Sequence, residues 1–280
     1  VRTRSWAALS VAVAIQFVAV AAWLGPAAPA RAEERAPAIS VTGVQTKAGA
    51  VEFFLAGRNM PPGTDLLRVP VTVSAAGRTL PSTTRTVAGS VGSAAPQRGV
   101  VIVVDTSGSM AGERLAGARA AVAQFAAAAP ASAWLGLVTV SDTAIARLAP
   151  TPDRAAFAAA LGRLTVGGET ALYDGIQTGV DLLDTATHPF VDRRVIVLSD
   201  GADTASTVRP DRLRQRIGRT DVVVDAVAFG EADQTRLASI TGAAGGRTLP
   251  ATDSARLASV LRGMAGEMSA PVVVDASVPP

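Results

Sequence analysis

The chain has no cysteine and one histidine, His188. The first absence excludes a disulfide framework, a thiol nucleophile and any thiolate metal site. The second leaves a single residue for every catalytic role histidine plays, and no G-x-S-x-G nucleophile motif accompanies it. No G-x-x-x-x-G-K-[ST] loop is present, which excludes a P-loop nucleotide site. Aromatic residues make up 4% of a chain that is 49% hydrophobic, so its cores must be built mainly from Ala, Val, Leu and Ile. Excess charge is also small, with 26 Lys and Arg against 23 Asp and Glu in 280 residues.

Even that small basic excess sits in the first 32 residues. Arg2 and Arg4 precede an uncharged, mostly apolar stretch from Trp6 to Gly25, and "PAAPARA" follows with Ala30 and Ala32 in an A-x-A arrangement. This is the pattern of a secretory signal peptide over residues 1–32. Removing it takes away Arg2, Arg4 and Arg31 and no acid, so the remaining bases equal the 23 acids. A balanced chain gives nucleic acid no electrostatic footprint. The alternative is an uncleaved anchor, since the apolar stretch is just long enough to span a bilayer; only then is a membrane a partner. Either way the expectation is an exported protein, extracellular or associated with the cell envelope. No feature specifies an oligomeric state.

After a short linker, residues 33–96 read as a small β-rich, sandwich-like module with its connector. Short β-like runs such as "ISVTGVQ" and "AVEFFLAG" are separated by turn signals, "VTVSAAGRTL" reads as a hairpin, and Ala88–Gly99 is rich in Gly, Ser and Ala. Residues 97–268 have another texture. The apolar run "VVIVVD" is followed by a helical pattern with Leu115, Val122 and Phe125 on one face and Pro130 past its end. Strand-like and helix-like runs then alternate up to a last helix at "SARLASVLRGMAGEM". The alternation predicts an α/β domain with a doubly wound, mostly parallel sheet and helices on both faces. The tail 269–280 has no place in this pattern.

The residues that carry chemistry lie at strand ends, where open α/β sheets bind ligands. Asp105 ends "VIVVD" and is followed at alternate positions by Ser107 and Ser109; Asp200 ends "VIVLSD". Two carboxylates meeting above one sheet are costly unless a cation joins them. The donors are all oxygens, which selects a hard divalent ion: Mg²⁺ first, with Mn²⁺ and Ca²⁺ as alternatives. Thr170, after Gly167-Gly168-Glu169, is a fifth candidate, although a threonine opening a helix is also explained as an N-cap.

Asp105-Thr106-Ser107-Gly108-Ser109, with Thr170 65 residues and Asp200 95 residues beyond Asp105, resembles the metal-ion-dependent adhesion site of von Willebrand factor type A domains. The resemblance covers roughly Gly99 to Met268. It implies a mostly parallel sheet with one antiparallel edge strand. It implies a Mg²⁺ ion held by Asp105, Ser107, Ser109, Thr170 and Asp200, some of them through water. Two carboxylates and three neutral hydroxyls leave a dication partly uncompensated, so an acidic side chain of a protein partner would complete the site. The helix N-terminus after Ser109 also favours an incoming anion. Glu169 departs from the family pattern, where glycine or a small residue is common, and places ligand type in question.

The function implied is metal-dependent protein binding, in adhesion or envelope assembly, without catalysis. One alternative is a Mg²⁺-dependent hydrolase or phosphatase. The haloacid-dehalogenase pattern, however, needs a second acid two residues after its aspartate, and that position is Ser107. The order of leader, β-rich module and A-type domain also resembles the front half of bacterial proteins of tight-adherence pilus assembly or type II secretion F-like systems. A structural part in such a machine is therefore a further alternative. Other features read more plainly: His188 as a loop residue, Trp134 and Phe125 as core, and Arg209, Arg212, Arg214, Arg216 and Arg219 as a solvated helix face. Asp142 and Asp174 read as acids making structural hydrogen bonds, and Asp203 as a turn residue or a support for the metal site.

Overall fold

The computed structural model describes residues 11–15, 38–47, 50–58, 71–75, 78–86, 97–188, 190, 192–200, 202–230, 232, 234–268 and 272–277. It has two compact units, one drawn from Val1–Ser93 together with Pro271–Pro280, the other from Ala94–Ala270. Among the described residues no helix is long and apolar enough to cross a membrane. The leader expected over residues 1–32 lies outside the described residues except for Val11–Ile15.

The first unit contains β1 (Val11–Ile15), β2 (Ala38–Lys47), β3 (Ala50–Arg58), β4 (Val71–Ala75), β5 (Arg78–Leu80) and β6 (Ser82–Thr86). The hairpin read from "VTVSAAGRTL" is present as β4–β5, with Val73 opposite Leu80, and β1 adds antiparallel to β4.

The second unit follows the alternation read from the sequence. It runs β7 (Arg98–Asp105), α1 (Glu113–Ala128), β8 (Ala133–Val140), β9 (Ala144–Thr151), α2 (Arg154–Gly162), α3 (Leu172–Asp184) and β10 (Asp192–Ser199). It continues through α4 (Pro210–Ile217), β11 (Val222–Phe229), α5 (Gln234–Ala243), β12 (Thr248–Ala251) and α6 (Ser254–Met268). The sheet order is β12-β11-β10-β7-β8-β9, parallel throughout except for β9, which pairs antiparallel with β8 at one edge. Local chemistry sets the helix starts. Asp153 accepts from the backbone N–H groups of Ala155 and Ala156 to cap α2, and Pro210 opens α4.

β7 is apolar along its length because both faces are covered. Val100, Ile102 and Val104 pack with α1 and α6 residues such as Phe125 and Leu257, whereas Val101 and Val103 pack with α3 residues such as Ile176 and Val180. With few aromatic rings to fill space, α3 lies very close to the sheet. A Cβ at Gly175 would stand 2.2 Å from Val140 Cγ2, and one at Gly179 would stand 3.2 Å from Val103 Cγ2.

The chain then returns to the first unit as β13 (Val272–Ser277), so the tail without a place in the alternation is a strand. It fits between β3 and β6 in a four-stranded antiparallel sheet of order β2-β3-β13-β6. Val272, Val274 and Ala276 share an apolar cluster with Val51, Phe53, Leu55, Val73 and Leu80. On β6, Arg85 pairs with Asp275 of β13 at 2.6 Å and reaches Glu52 of β3 at 2.9 Å. These carboxylates hold the guanidinium above its ordinary pKa, Asp275 contributing most.

The α3 contact yields a direct test. Gly175→Ala is expected to destabilise the protein by about 1–3 kcal/mol, the usual range for overpacking a dense core. Urea unfolding followed by circular dichroism measures it. Gly266→Ala, where a Cβ would meet nothing within 4 Å, serves as the control.

Candidate functional site

The parallel pairing of β7 with β10 sets the geometry. Val104 stands opposite Leu198, so Asp105 comes beside Ser199, and Asp200 lies just past the end of β10. Asp105 is fully buried, and each of its oxygens has a neutral donor: Ser107 N–H donates to Oδ1 at 2.9 Å and the Ser199 hydroxyl to Oδ2 at 2.7 Å. Burial pushes its carboxyl above the ordinary aspartate range. The Ser199 and Ser107 hydrogen bonds pull it down, and the charge of Asp200 pushes it up again. The Ser107 and Ser109 hydroxyls are 3.0 Å apart, and the Ser109 hydroxyl donates to Asp200 Oδ1 at 2.7 Å. Asp105, Ser107, Ser109 and Asp200 therefore form one hydrogen-bonded chain, the serines bridging two buried acids.

Thr170 reaches the same edge of the sheet on a loop tied to the serine turn. Gly167 N–H donates to Thr106 O at 2.9 Å, and Gly108 N–H donates to Gly168 O at 3.0 Å. Asp142 holds the loop from the other side by accepting from Glu169 N–H at 2.8 Å. Gly168 has φ +78°, and its missing Cβ would lie 2.5 Å from the Asp142 carboxylate, so two independent reasons demand glycine there. Thr170 is buried, and its backbone is held by Thr204, whose hydroxyl accepts from Thr170 N–H and whose N–H donates to Thr170 O. The Thr170 hydroxyl makes no hydrogen bond to another described residue, and it does not cap α3. That helix start is capped from the later loop, by Asp203 on Tyr173 N–H and by Ser206 on Asp174 N–H. The Glu169 carboxylate is exposed and accepts from the Thr204 hydroxyl at 2.9 Å.

Three contributors carry little or no signal in the sequence. Ser199 is hidden inside "VLSD", although its place one residue before Asp200 puts it level with Asp105 once the strands are parallel. Thr204 acts through its backbone N–H and its hydroxyl on a loop 34 residues away, and a lone threonine in a loop carries no signature of that. Arg114, the second residue of α1, pairs through Nη1 with Asp200 Oδ2 at 2.5 Å, across 86 residues of sequence. Asp142 and Asp174 are structural acids as expected, Asp174 accepting from Thr207 and Val208 N–H groups. Asp203 is bonded to Tyr173 and Ser206. His188 stacks on Trp134 with ring centroids 4.2 Å apart. Trp134 is level with Gly99 at the start of β7, so this pair lies at the opposite end of the sheet from Asp105. In the arginine-rich helix, Arg216 pairs with Asp181 and Asp184, and Arg214 with Asp211.

Comparison with known proteins agrees with this architecture. The family model of the von Willebrand factor type A domain matches residues 100–202. A UPF0353 protein of Mycobacterium avium is 34% identical over 124 residues, covering 40% of this chain and 37% of that protein. The match thus spans just over a third of the relative's length. Among solved structures, a von Willebrand factor type A protein from Catenulispora acidiphila superposes with a TM-score of 0.55 at 18% identity, covering 87% of this chain and 65% of that one. Proximal thread matrix protein 1 from the mussel byssus, solved with a zinc-occupied MIDAS motif, superposes with a TM-score of 0.53 at 17% identity over 63% of this chain and 47% of its own. At these identities the superpositions establish the fold.

The two oxygens of Asp105 make separate claims on stability. Ser199→Ala leaves Oδ2 without its donor and is expected to cost about 1–3 kcal/mol. Asp105→Asn keeps an acceptor for Ser107 N–H and removes one of two neighbouring charges, so it should cost less than Ser199→Ala or increase stability. Denaturant unfolding in the presence of EDTA compares the two.

Proposed function

We propose, from the premise that residues 100–202 carry a von Willebrand factor type A domain, that this chain is an exported binding module. It would hold a divalent cation through Asp105, Ser107, Ser109, Thr170 and Asp200 and use it to bind an acidic side chain of a partner protein. The observation that carries the reading is the all-oxygen chain from Asp105 through Ser107 and Ser109 to Asp200, with the Thr170 hydroxyl beside it making no hydrogen bond to another described residue. Burial of two acids on adjacent strands, with Asp105 pushed toward its neutral form, describes a place short of positive charge. Oxygen donors of this kind suit Mg²⁺, Mn²⁺ or Ca²⁺. A dication held there would supply a coordination position for an external carboxylate oxygen.

Within this reading the chain's own residues position the site. Ser199 and Ser107 N–H orient the Asp105 carboxylate, and Met110, fully buried, anchors the turn that presents Ser107 and Ser109. Asp142 and Gly168 fix the loop that presents Thr170. Ser107 stands where a phosphatase of the haloacid-dehalogenase pattern needs an acid, which favours binding over hydrolysis. The leader pattern over residues 1–32 favours a partner outside the cytoplasm, in adhesion or envelope assembly.

The test is capture of cell-envelope proteins by the full chain in Mg²⁺ or Mn²⁺. Capture by wild type, lost with EDTA and lost in Ser107→Ala, is the expected result. Capture unchanged by both would sink the metal-bridge reading, and Mg²⁺-dependent phosphatase turnover would replace it with the hydrolase. Glu169 is exposed and bonded to Thr204, so its effect on an acidic ligand is a screened repulsion of about 1 kcal/mol or less. Glu169→Gln is accordingly expected to tighten capture by no more than about fivefold in a titration of bound partner.

A further inference from the structure

We propose that Arg114 is the resident counter-cation of Asp200, and that a divalent ion loads the site by exchange with this guanidinium. The inference rests on the metal reading above and deepens it by naming what the ion displaces.

The two acids are satisfied in different ways among the described residues. Asp105 has neutral donors, Ser107 N–H and the Ser199 hydroxyl. Asp200 has one neutral donor, the Ser109 hydroxyl on Oδ1, and one cation, Arg114 on Oδ2. The Asp200 side chain has no exposed surface, whereas that of Arg114 is 48% exposed. A buried carboxylate without a counter-charge is expensive, whereas a half-exposed arginine that leaves its partner keeps its own charge in water, so the cost of parting them is mainly the lost ion-pair hydrogen bond.

The position of Arg114 in its helix points the same way. It is the second residue of α1, where the helix dipole disfavours a cation. No first-turn benefit accounts for it, and its partner is across the sheet edge. The guanidinium also passes Ser109 O at 3.5 Å and comes within 3.9 Å of where a Cβ of Gly230 would stand, at the end of β11. It therefore lies among the turn after β7, Asp200 after β10 and Gly230 after β11, beside the proposed ligands Ser109 and Asp200.

Charge completes the argument. Two carboxylates with one guanidinium leave the cluster with a net negative charge. A dication in place of the guanidinium balances both acids, and a guanidinium kept in contact beside it would repel the ion. Metal affinity is therefore lowered by the work of removing Arg114 from Asp200. That work is comparable to a charge-assisted hydrogen bond, equivalent to about tenfold in affinity.

Isothermal titration of the full chain with Mn²⁺ tests this directly, comparing wild type, Arg114→Gln and Arg114→Lys. Arg114→Gln is expected to tighten Mn²⁺ binding about tenfold, with Arg114→Lys, which keeps the charge, falling between the two. In EDTA, Arg114→Gln should unfold at a lower temperature than wild type, and saturating Mn²⁺ should erase the difference. Equal or weaker Mn²⁺ binding by Arg114→Gln overturns the exchange and leaves the metal reading standing. Absence of Mn²⁺ binding in all three proteins overturns the metal reading itself.

Discussion

Two carboxylates buried at the ends of adjacent parallel strands are the constraint around which the upper edge of the α/β unit is organised. Their proximity follows from one register, Val104 opposite Leu198, which no local sequence feature determines. Once that register is set, Asp105 and Asp200 cannot avoid each other, and every nearby polar group is a response. Ser199 and Ser107 N–H satisfy one acid, Ser109 and Arg114 the other. The serines between them work as spacers that let two like charges share an edge without direct contact. Hydrogen bonds to the charged forms offset part of the burial cost, which is why the shift at Asp105 is a balance of opposing causes.

The second requirement is positional. A set of oxygens drawn from three separate loops has to be held by backbone, because side-chain hydroxyls alone do not fix a loop. The bonds Gly167 N–H to Thr106 O and Gly108 N–H to Gly168 O join two of these loops backbone to backbone. Thr204 ties the third, bonding both the N–H and the carbonyl of Thr170. Glycine is needed at 168 because the loop turns through positive φ against the Asp142 carboxylate. The sequence "GGET" thus carries a backbone instruction in its glycines and a chemical one in its threonine.

Much of this is legible in the amino-acid sequence alone. Fully apolar runs ending in Asp105 and Asp200 identify buried parallel strands, and their alternation with helical segments identifies the doubly wound sheet. The gathering of Asp105, Ser107, Ser109 and Asp200 is legible on the condition that the two strands are neighbours, which the parallel pairing of β7 with β10 meets. What the sequence hides is non-local. Arg114 looks like one more charged residue on a helix, because its meaning lies in a partner 86 positions away. "VVVDAS" has no place in the alternation because its neighbours β3 and β6 belong to the opposite end of the chain, and nothing beside it in sequence can pair with it. Thr170 is ambiguous for a different reason. A threonine ahead of a helix caps it in many proteins, and only the later loop, with Asp203 and Ser206 already capping α3, frees it here.

The absence of cysteine also has a structural counterpart. Without disulfides or metal–thiolate bonds, the polar edge must be anchored by apolar residues directly beside the polar ones. Ser109 is followed by Met110, buried among the α1 and α6 side chains. Thr170 is followed by Ala171 and Leu172, buried on the opposite face of the sheet, and Asp105 follows Val104. Each of these candidate ligands is therefore one residue from a core position, and the two loops are rooted in different cores. A distortion of α1 packing would move Ser107 and Ser109 while leaving Thr170 in place, and a distortion of α3 would do the reverse. The site is thus a junction between two separately packed layers, and the close approach of α3 at Gly175 and Gly179 keeps those layers at a fixed spacing.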